Sequence, residues 1–350
     1  MPSSRIDPMA ARAFAVEVIE KLRQGGYEAV WAGGCVRDQL LDRVPLDYDV
    51  ATAARPDAVR NIFGRRNTIA VGAAFGVITV IGSKDTGNVE VATFRSDAEY
   101  VDGRHPVGVT FCGAQEDALR RDFTINGLFF DPTAGNVIDY VGGQQDLSEG
   151  VVRAIGNPIM RFEEDHLRIL RAIRFSANFE FPIESNTRKA IVLLARKVES
   201  VSPERLAAEL RLMFSRQGRG EALRLLVNTN LINPLFGNRF KRSETFLSSV
   251  SDTLDAMKKP NISSAIAVLC YEKPRLAVEI SNHLRLSNHE RKLAVWLIEA
   301  VMVLGSSSFS RPYVNMPWSV LQPWLAHEWR FQLIDVMRSL AVINLFSTES

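Results

Sequence analysis

The chain has 350 residues, of which 46% are hydrophobic and 23% are charged, as in an ordinary globular protein with room for two or more domains. No apolar run approaches the length of a membrane span, and residues 1–8 lack the apolar core of a secretory signal. The three cysteines, Cys35, Cys112 and Cys270, lie too far apart for a disulfide framework or a zinc site. We therefore expect a cytoplasmic protein without a membrane anchor.

The net charge of +2 conceals an uneven distribution of charge along the chain. Residues 1–150 carry 15 basic and 21 acidic side chains, whereas residues 151–350 carry 27 basic and 19 acidic ones. An acidic half suits a metal-dependent active site, and a basic half suits a grip on a polyanion. An imbalance of this size is also ordinary for a protein surface, so it serves only as support for other signals.

Hydrophobic periodicity and turn residues predict the first secondary-structure elements. In chain order they are a helix over 10–26, a strand over 28–34, a short helix over 36–41, a strand over 46–52, a helix over 56–63 and a β-hairpin over 76–94.

Two features near the start of the chain combine groups that nucleotide chemistry needs. Gly33 and Gly34 link the first strand to the short helix, so backbone N–H groups can closely approach an anion such as a phosphate. Asp47 and Asp49 alternate along the next strand, which puts both carboxylates on one face, roughly 7 Å apart along the chain. Such a pair repels itself unless a cation lies between, and oxygen ligands suit Mg²⁺. Together the features predict phosphoryl or nucleotidyl transfer, although each alone is common.

Glu90 is the one charged residue in the apolar stretch 89–94 of the predicted hairpin. A metal shared with Asp47 and Asp49 would account for a carboxylate at this position, and we prefer this interpretation. The alternative is a surface glutamate on the polar face of an edge strand. The next stretch, 95–115, is a polar loop whose length is more often functional than not.

A charged helix is predicted over 116–127. It would bring Arg121 and Asn126 to the same cleft, where an arginine suits a triphosphate. The side chains of Asp122 and Asn126 could bind ribose hydroxyls. The alternative is a charged helix face with its apolar residues buried.

Four successive motifs resemble those of the class II CCA-adding enzymes (tRNA nucleotidyltransferases) and the related bacterial poly(A) polymerases, within the polymerase-β-like nucleotidyltransferases. The motifs are Gly-Gly-Cys-Val-Arg-Asp at 33–38, Asp-Tyr-Asp at 47–49, Glu-Val-Ala-Thr-Phe-Arg-Ser-Asp at 90–97 and Arg-Arg-Asp-Phe-Thr-Ile-Asn at 120–126. The resemblance covers residues 28–215, and four motifs in this order are specific for the family. One departure is Gly127, where the family usually has alanine or serine; we expect it to have little effect.

The resemblance implies an α+β fold, in which a small mixed-sheet nucleotidyltransferase head precedes an all-α neck, body and tail. The implied domains are a head over 1–140, a neck with nucleobase-reading helices over 141–215, and an RNA-binding body and tail over 216–350. A two-metal mechanism with Mg²⁺ is implied, in which the catalytic and metal-binding residues are Asp47, Asp49 and Glu90. ATP, CTP and the 3′ end of tRNA are the implied partners, and a monomer and a homodimer both stay open. The nucleotide-binding residues are predicted to be Gly34, Arg37, Arg121, Asp122, Asn126, Asp165, Arg168, Arg171 and Arg174.

A helix is predicted over 161–175, where Asp165, Arg168, Arg171 and Arg174 recur every third position. Each step turns about 60° around the axis, so they form a slowly winding polar stripe. Cytosine and adenine offer an amino donor beside a ring-nitrogen acceptor, whereas guanine and uracil offer a carbonyl beside an N–H. Asp165 and Arg168 would therefore accept C and A and reject G and U, which is the template role of this motif in the family. The alternative is a weakly stabilising ion pair on a solvated helix.

The remaining chain is predicted to be helical, and Trp318, Trp324 and Trp329 are assigned to its core rather than to an RNA-stacking surface. Two rival functions share the head motifs: a poly(A) polymerase and a tRNA enzyme that adds only part of CCA. The sequence separates these from full CCA addition poorly. A third alternative is a catalytically inactive RNA-binding protein, which the intact carboxylates argue against.

Overall fold

The computed structural model describes residues 6–45, 47–97, 109–237, 239–305 and 317–342. The chain divides into two compact units, and the division falls between Asp165 and His166. The first unit contains a mixed β-sheet with helices, and the described residues of the second unit form helices. The predicted α+β fold, with a mixed-sheet region followed by a helical one, is therefore confirmed.

Short strands alternate with helices in the first unit. In chain order its elements are α1 (Pro8–Gln24), β1 (Ala29–Ala32), α2 (Gly34–Leu40), β2 (Asp49–Thr52), α3 (Pro56–Phe63), β3 (Thr68–Ile69), β4 (Val77–Val80), β5 (Val89–Thr93), β6 (Arg95–Asp97), β7 (Val109–Phe111), α4 (Ala114–Leu119), β8 (Phe129–Asp131), β9 (Asn136–Ile138), α5 (Gly143–Glu149) and α6 (Pro158–Glu164).

Seven of the described strands form one sheet, in the order β3-β4-β5-β2-β1-β8-β9. Strands β2 and β5 run parallel, whereas the other neighbouring pairs run antiparallel. Strand β1 is buried along its whole length, and its Val30 belongs to a core with Phe94, Ala118 and Phe129. The core fixes the ends of β1 and β2, where the predicted active-site motifs lie.

The second unit is built from helices joined by short connections. Its elements are α7 (Leu167–Phe179), α8 (Ser185–Leu194), α9 (Pro203–Ser215), α10 (Arg219–Asn228), α11 (Ile232–Phe236), α12 (Glu244–Ala256), α13 (Ile262–Leu269), α14 (Pro274–His283), α15 (Asn288–Leu304), α16 (Trp318–Leu325) and α17 (Arg330–Val342). A 3₁₀ turn over Ala195–Ser200 follows α8. Capping boxes at Asn261 and Ser287 open α13 and α15, which explains where these helices begin.

The continuous helix predicted over 116–127 is wrong. The chain forms α4 and then, after a break, a 3₁₀ turn over Thr124–Asn126. The carboxylate of Asp122 accepts hydrogen bonds from the backbone N–H of Phe123 at 2.8 Å and from the Asn126 side chain at 3.2 Å. Such side-chain acceptors compete with the backbone hydrogen bonds of a helix, so the helix ends early.

The continuous helix predicted over 161–175 is also wrong, because α6 ends at Glu164 and α7 begins at Leu167. Between them Asp165 is extended, with φ −149° and ψ 103°. The guanidinium of Arg161 ties α6 to the first unit. It donates hydrogen bonds to the backbone carbonyls of Leu119, Arg120 and Ile155, at 2.8 to 3.2 Å. The break in the helix is therefore the point where the chain passes from one unit to the other.

Three further expectations concern the loop, the membrane and the tryptophans. Residues 98–108 of the predicted functional loop lie outside the described residues, and the flanking strands β6 and β7 pair with each other. No helix within the described ranges is long and apolar enough to cross a membrane. Trp324 and Trp329 pack against Trp296, with ring centroids 5.5 and 5.7 Å away, but both are only half-buried, so they form a partly exposed aromatic cluster rather than part of the buried core. Trp318 was wrongly assigned to the core, since it is 65% exposed at the start of α16.

Candidate active site

The predicted carboxylates gather at one end of the central strand pair. In the parallel register of β2 and β5, Asp49 lies opposite Glu90. Because side chains alternate along a strand, direct partners project from the same face, and neighbouring strands are about 4.8 Å apart. Asp47 precedes β2 by two residues, and all three residues are exposed. The structure thus brings two strands' acidic residues to one solvent-accessible edge.

The electrostatics at Asp49 reflect this crowding. Desolvation by the surrounding protein is the main cause that raises the pKa of Asp49, and the charges of Asp47 and Glu90 raise it further, to about 6. The guanidinium of Arg121 acts in the opposite direction. Solvent reaches Asp49, but its ionised form is still disfavoured by its neighbours. A cation placed among these groups would relieve that penalty.

The glycine turn between β1 and α2 lies beside the same arginine. Gly33 has φ +69°, which an L side chain rarely adopts, and a Cβ there would lie 3.0 Å from the Nη1 atom of Arg121. The Gly33 N–H donates to the carbonyl of Leu128 at 3.0 Å, so the turn is fixed to the chain before β8. Cys35 in α2 is buried, and burial raises its thiol pKa to about 12, which fits a structural role for this residue.

Three of the predicted nucleotide-binding residues form one hydrogen-bonded chain. Arg37 donates from Nη1 to the Oδ1 atom of Asn126 at 2.6 Å, and Asn126 donates from Nδ2 to Asp122 at 3.2 Å. Each of the three residues is less than a tenth exposed. Arg37 also contacts Asp38 at 2.6 Å. The chain links α2 to the 3₁₀ turn, so these side chains hold each other in defined orientations.

Asp117 is a functional candidate that the sequence interpretation missed. Its carboxylate is almost fully buried and receives Arg120 at 2.7 Å and Arg121 at 2.9 Å. Burial alone would raise the pKa of Asp117, but the two guanidinium groups hold it below its usual value. The spacing of an acid three and four residues before two arginines was visible in the sequence as a sign of this pairing. Asp117 thereby fixes the Arg121 side chain next to Gly33.

The predicted base-reading residues lie on two elements rather than on one helix. Asp165 is the residue that ends α6, whereas Arg168, Arg171 and Arg174 lie on α7. Arg168 and Arg174 are buried, and the Nε atom of Arg174 lies 2.6 Å from the Oε2 atom of Glu209 on α9. Within the second unit, the three arginines therefore project from one helix, and the contact between Arg174 and Glu209 links that helix to α9.

Glu209 is shared by two of these arginines. Its other carboxylate oxygen lies 3.7 Å from the Nη1 atom of Arg171, and its side chain is only 7% exposed. Burial lowers the pKa of Arg174 despite this partner. Glu209 therefore has a structural role, since it sets the side-chain positions of Arg171 and Arg174.

Comparison with known proteins places these features in a class. Residues 29–153 match a family model described as "Poly A polymerase head domain". Residues 180–238 match a model described as "Probable RNA and SrmB-binding site of polymerase A". The fold and the acidic site together define a nucleotidyltransferase.

Individual relatives narrow the class further. The CCA-adding enzyme of Oceanobacillus iheyensis is 36% identical over 294 residues, which cover 82% of this chain and 70% of that enzyme. The CCA-adding enzyme of Anoxybacillus flavithermus is 36% identical over 306 residues, or 83% of this chain and 75% of that enzyme. A crystal structure of the Bacillus stearothermophilus CCA-adding enzyme in complex with CTP superposes with a TM-score of 0.78 and 29% identity, covering 94% of this chain and 78% of that one. The chain therefore belongs to the family of CCA-adding enzymes, and the resemblance inferred from its motifs is confirmed.

Proposed function

We propose that the chain adds CMP and AMP, taken from CTP and ATP, to the 3′ end of tRNA without a nucleic-acid template. The observation that carries the proposal is the pairing of Asp49 with Glu90 across parallel strands, beside Asp47, the Gly33 turn and Arg121. An acidic edge that would attract a cation thus lies next to a glycine turn, and the guanidinium of Arg121 lies beside that turn. The relatives support the proposal, because they are named as CCA-adding enzymes and one of them binds CTP.

Asp47 and Asp49 are the residues that would hold Mg²⁺, and Glu90 is the third candidate. The raised pKa of Asp49 fits a cation site, because it results partly from repulsion that a cation would remove. Within the described ranges, no three His, Cys, Asp or Glu side chains form a ready-made metal cluster. This is compatible with Mg²⁺, which is often held by one or two carboxylates together with substrate phosphates. When bound, the metal would supply a lowered pKa for the tRNA 3′-OH and charge compensation for the triphosphate.

The arginines and the glycine turn would bind the nucleotide's phosphates. Gly33 and Gly34 let backbone N–H groups approach an anion, and Arg121 is held beside them by Asp117. Arg37 reaches the same region through its hydrogen bond to Asn126. Asp122 and Asn126 would orient this group and offer polar atoms to the ribose. The 3′-OH would attack the α-phosphate, and pyrophosphate would leave.

The choice of base would come from Asp165 and Arg168. A carboxylate acceptor and a guanidinium donor match the Watson–Crick edges of cytosine and adenine, whereas guanine and uracil would leave polar groups unpaired. Arg171 and Arg174, fixed by Glu209, would hold the template geometry. Because Asp165 is extended at the break before α7, it does not follow the helical periodicity of Arg168, Arg171 and Arg174.

Incorporation assays with defined tRNA ends test the proposal. Transcripts that lack CCA, or that end in CC, would be incubated with Mg²⁺ and labelled CTP, ATP or both. We expect two CMP residues and then one AMP on the first transcript, and a single AMP on the second. Addition of AMP alone would identify an A-adding enzyme, and long A tails on unstructured RNA would identify a poly(A) polymerase. Absence of any incorporation would favour an inactive RNA-binding protein.

We place this reaction in the cytoplasm, where ATP, CTP and tRNA are available and thiols stay reduced. The thiols of Cys35 and Cys270 are both buried, and burial raises the pKa of each to about 12. At neutral pH such thiols are protonated and react poorly, so they are not expected to form disulfides.

A further inference from the structure

A surface with only positively charged ionisable side chains lies on α8 and the 3₁₀ turn that follows it. It consists of four exposed cations with two exposed apolar residues between them, and we call it the basic face. Its members are Arg188, Lys189, Val192, Leu193, Arg196 and Lys197. Arg188 and Val192, and likewise Lys189 and Leu193, are four residues apart and so share one side of α8, and the exposed Arg196 and Lys197 follow in the 3₁₀ turn.

The opposite side of α8 anchors the basic face. Thr187, Ala190, Ile191 and Leu194 are buried, so the helix cannot rotate without exposing its apolar side. Glu184 accepts hydrogen bonds from the backbone N–H groups of residues 186 and 187, at 2.9 and 2.8 Å, and so fixes the start of the helix. In the 3₁₀ turn, Ala195 and Val198 are buried on either side of Arg196 and Lys197, so all four cations are held outward by the packing of the second unit.

The cations of the basic face have no acidic residues among them. No Asp or Glu occurs between positions 185 and 198, and in the described part of the chain none of the four forms an ion pair. Other arginines of the second unit differ in this respect. Arg224 pairs with Asp252 at 2.6 Å, and Arg211 pairs with Glu290 at 2.6 Å. A patch of like charges without internal compensation produces a positive potential that attracts a polyanion.

We infer that the basic face binds the phosphate backbone of the RNA substrate, an inference that rests on the proposed function. The eight residue steps from Arg188 to Arg196 span ~12 Å, which is enough to follow several phosphates of one strand. The face lies within residues 180–238, the region that matches the model named for RNA binding. Leu193 is 67% exposed and Val192 40%, which is a small apolar area compared with that of a specific protein interface. The charge pattern therefore favours RNA over a protein partner.

A charge-removal variant of the full-length protein tests the inference. The variant is Arg188→Gln, Lys189→Gln, Arg196→Gln and Lys197→Gln combined, since glutamine retains helix propensity. The control removes four exposed basic side chains of the first unit: Lys21→Gln, Arg65→Gln, Arg66→Gln and Lys84→Gln combined. Circular dichroism and thermal unfolding check that both proteins fold. The dissociation constant of tRNA lacking CCA is then measured from 50 to 300 mM salt, and the KM values for tRNA and CTP are measured separately.

We expect the basic-face variant to bind tRNA ~10-fold or more weakly at low salt, with a salt dependence shallower by about one unit of log–log slope for each phosphate that the variant no longer binds. Its KM for CTP and its kcat at saturating tRNA should match the wild type, and the control should bind tRNA within twofold of it. If the wild type adds CMP and AMP but the basic-face variant binds tRNA with unchanged affinity and salt slope, the inference is overturned while the proposed function stands. A Leu193→Ala variant that weakens tRNA binding more than the charge removal would also overturn it, because apolar contact would then dominate. A wild type that binds tRNA through this face but adds no nucleotide would instead contradict the proposed function.

Discussion

Asp49 and Glu90 are direct partners in the one parallel strand pair of the described sheet, so their carboxylates project from the same face. Asp49 is separated from Glu90 by about forty residues of sequence, yet the charge of Glu90 contributes to the raised pKa of Asp49. The pairing explains how a glutamate that resembles a surface residue in the sequence becomes part of an acidic site.

Removal of the central carboxylate should abolish catalysis while the fold is retained. For Asp49→Asn we expect nucleotide incorporation to fall by ~10³-fold or more, because a metal site contributes several kcal/mol and each 1.36 kcal/mol is a factor of ten. Single-turnover incorporation of CMP measures the effect. Asp85→Asn, at an exposed turn, is the matched control and should keep wild-type activity. Retained activity in Asp49→Asn would refute the metal assignment.

The same substitution should stabilise the metal-free protein at neutral and alkaline pH. The pKa of Asp49 is about 6 in the folded protein and about 3.8 when unperturbed, so the ionised carboxylate costs the folded state free energy. The free energy of unfolding of the wild type should therefore fall as pH rises from about 4 through 6. With allowance for solvent screening, the free energy of unfolding of Asp49→Asn should exceed that of the wild type by roughly 1 kcal/mol at pH 8 and should equal it below pH 4. Urea unfolding in EDTA at both pH values measures this; an equal difference at pH 4 and pH 8 would contradict it.

The shared carboxylate of Glu209 should be critical for the second unit. Glu209→Ala leaves the buried Arg174 without its acceptor at 2.6 Å, and we expect a loss of ~3 kcal/mol in the free energy of unfolding. The exposed Glu199→Ala is the control and should change stability by less than ~0.5 kcal/mol. In a double-mutant cycle, Arg174→Ala should cost at least ~1 kcal/mol less when Glu209 is already absent. Additive losses would show that the two residues are not coupled.

Base selection should depend on Arg168. Arg168→Ala removes the donor proposed to read the ring-nitrogen acceptor of C and A, so incorporation should relax toward UMP or GMP. The ratio of kcat/KM for CTP over UTP measures the change. Arg188→Ala, on the basic face, is an informative control: it should weaken tRNA binding and leave the CTP-to-UTP ratio unchanged. An unaltered ratio in Arg168→Ala would refute the template assignment.

Acid sensitivity should arise in part from the link between α9 and α15. Hydrogen bonds from Arg211 are the main cause that lowers the pKa of Glu290 to about 2, against 4.5 for an unperturbed glutamate. The ion pair therefore stabilises the fold above pH 4.5 and loses that contribution as pH falls toward 2. For Glu290→Gln we expect a lower Tm at pH 7 and a difference from wild type that shrinks below pH 4. The exposed Glu299→Gln, on the same helix, should behave as wild type at both pH values.

The sequence predicted the glycine turn, the alternating aspartates and most helices, because these depend on local composition and periodicity. The prediction of continuous helices failed at residues 116–127 and 161–175, where hydrogen bonds from side chains determine the backbone conformation. Asp122 binds its own turn, and Arg161 binds α6 to distant carbonyls, so helical periodicity alone is misleading there. The burial of Asp117 and its effect on Arg121 depend on tertiary packing and are only hinted at by spacing.

Gly127 illustrates the same limit. The departure from the family pattern was expected to matter little, but a Cβ at this position would lie 2.7 Å from the side chain of Val141 and 3.1 Å from that of Ile155. Neighbouring side chains occupy the space that alanine would need. The effect of a residue on packing depends on its neighbours, which no single position of the sequence reveals.

The parallel pairing of β2 with β5 also affects how the enzyme matures. Parallel neighbours cannot be joined by a tight turn, so a crossover through α3, β3 and β4 connects the strand of Asp49 to that of Glu90. Contacts between residues distant in sequence form slowly, because loop closure must precede the interactions that compensate for it. The acidic edge is therefore complete only when β5 has paired with β2 across this crossover.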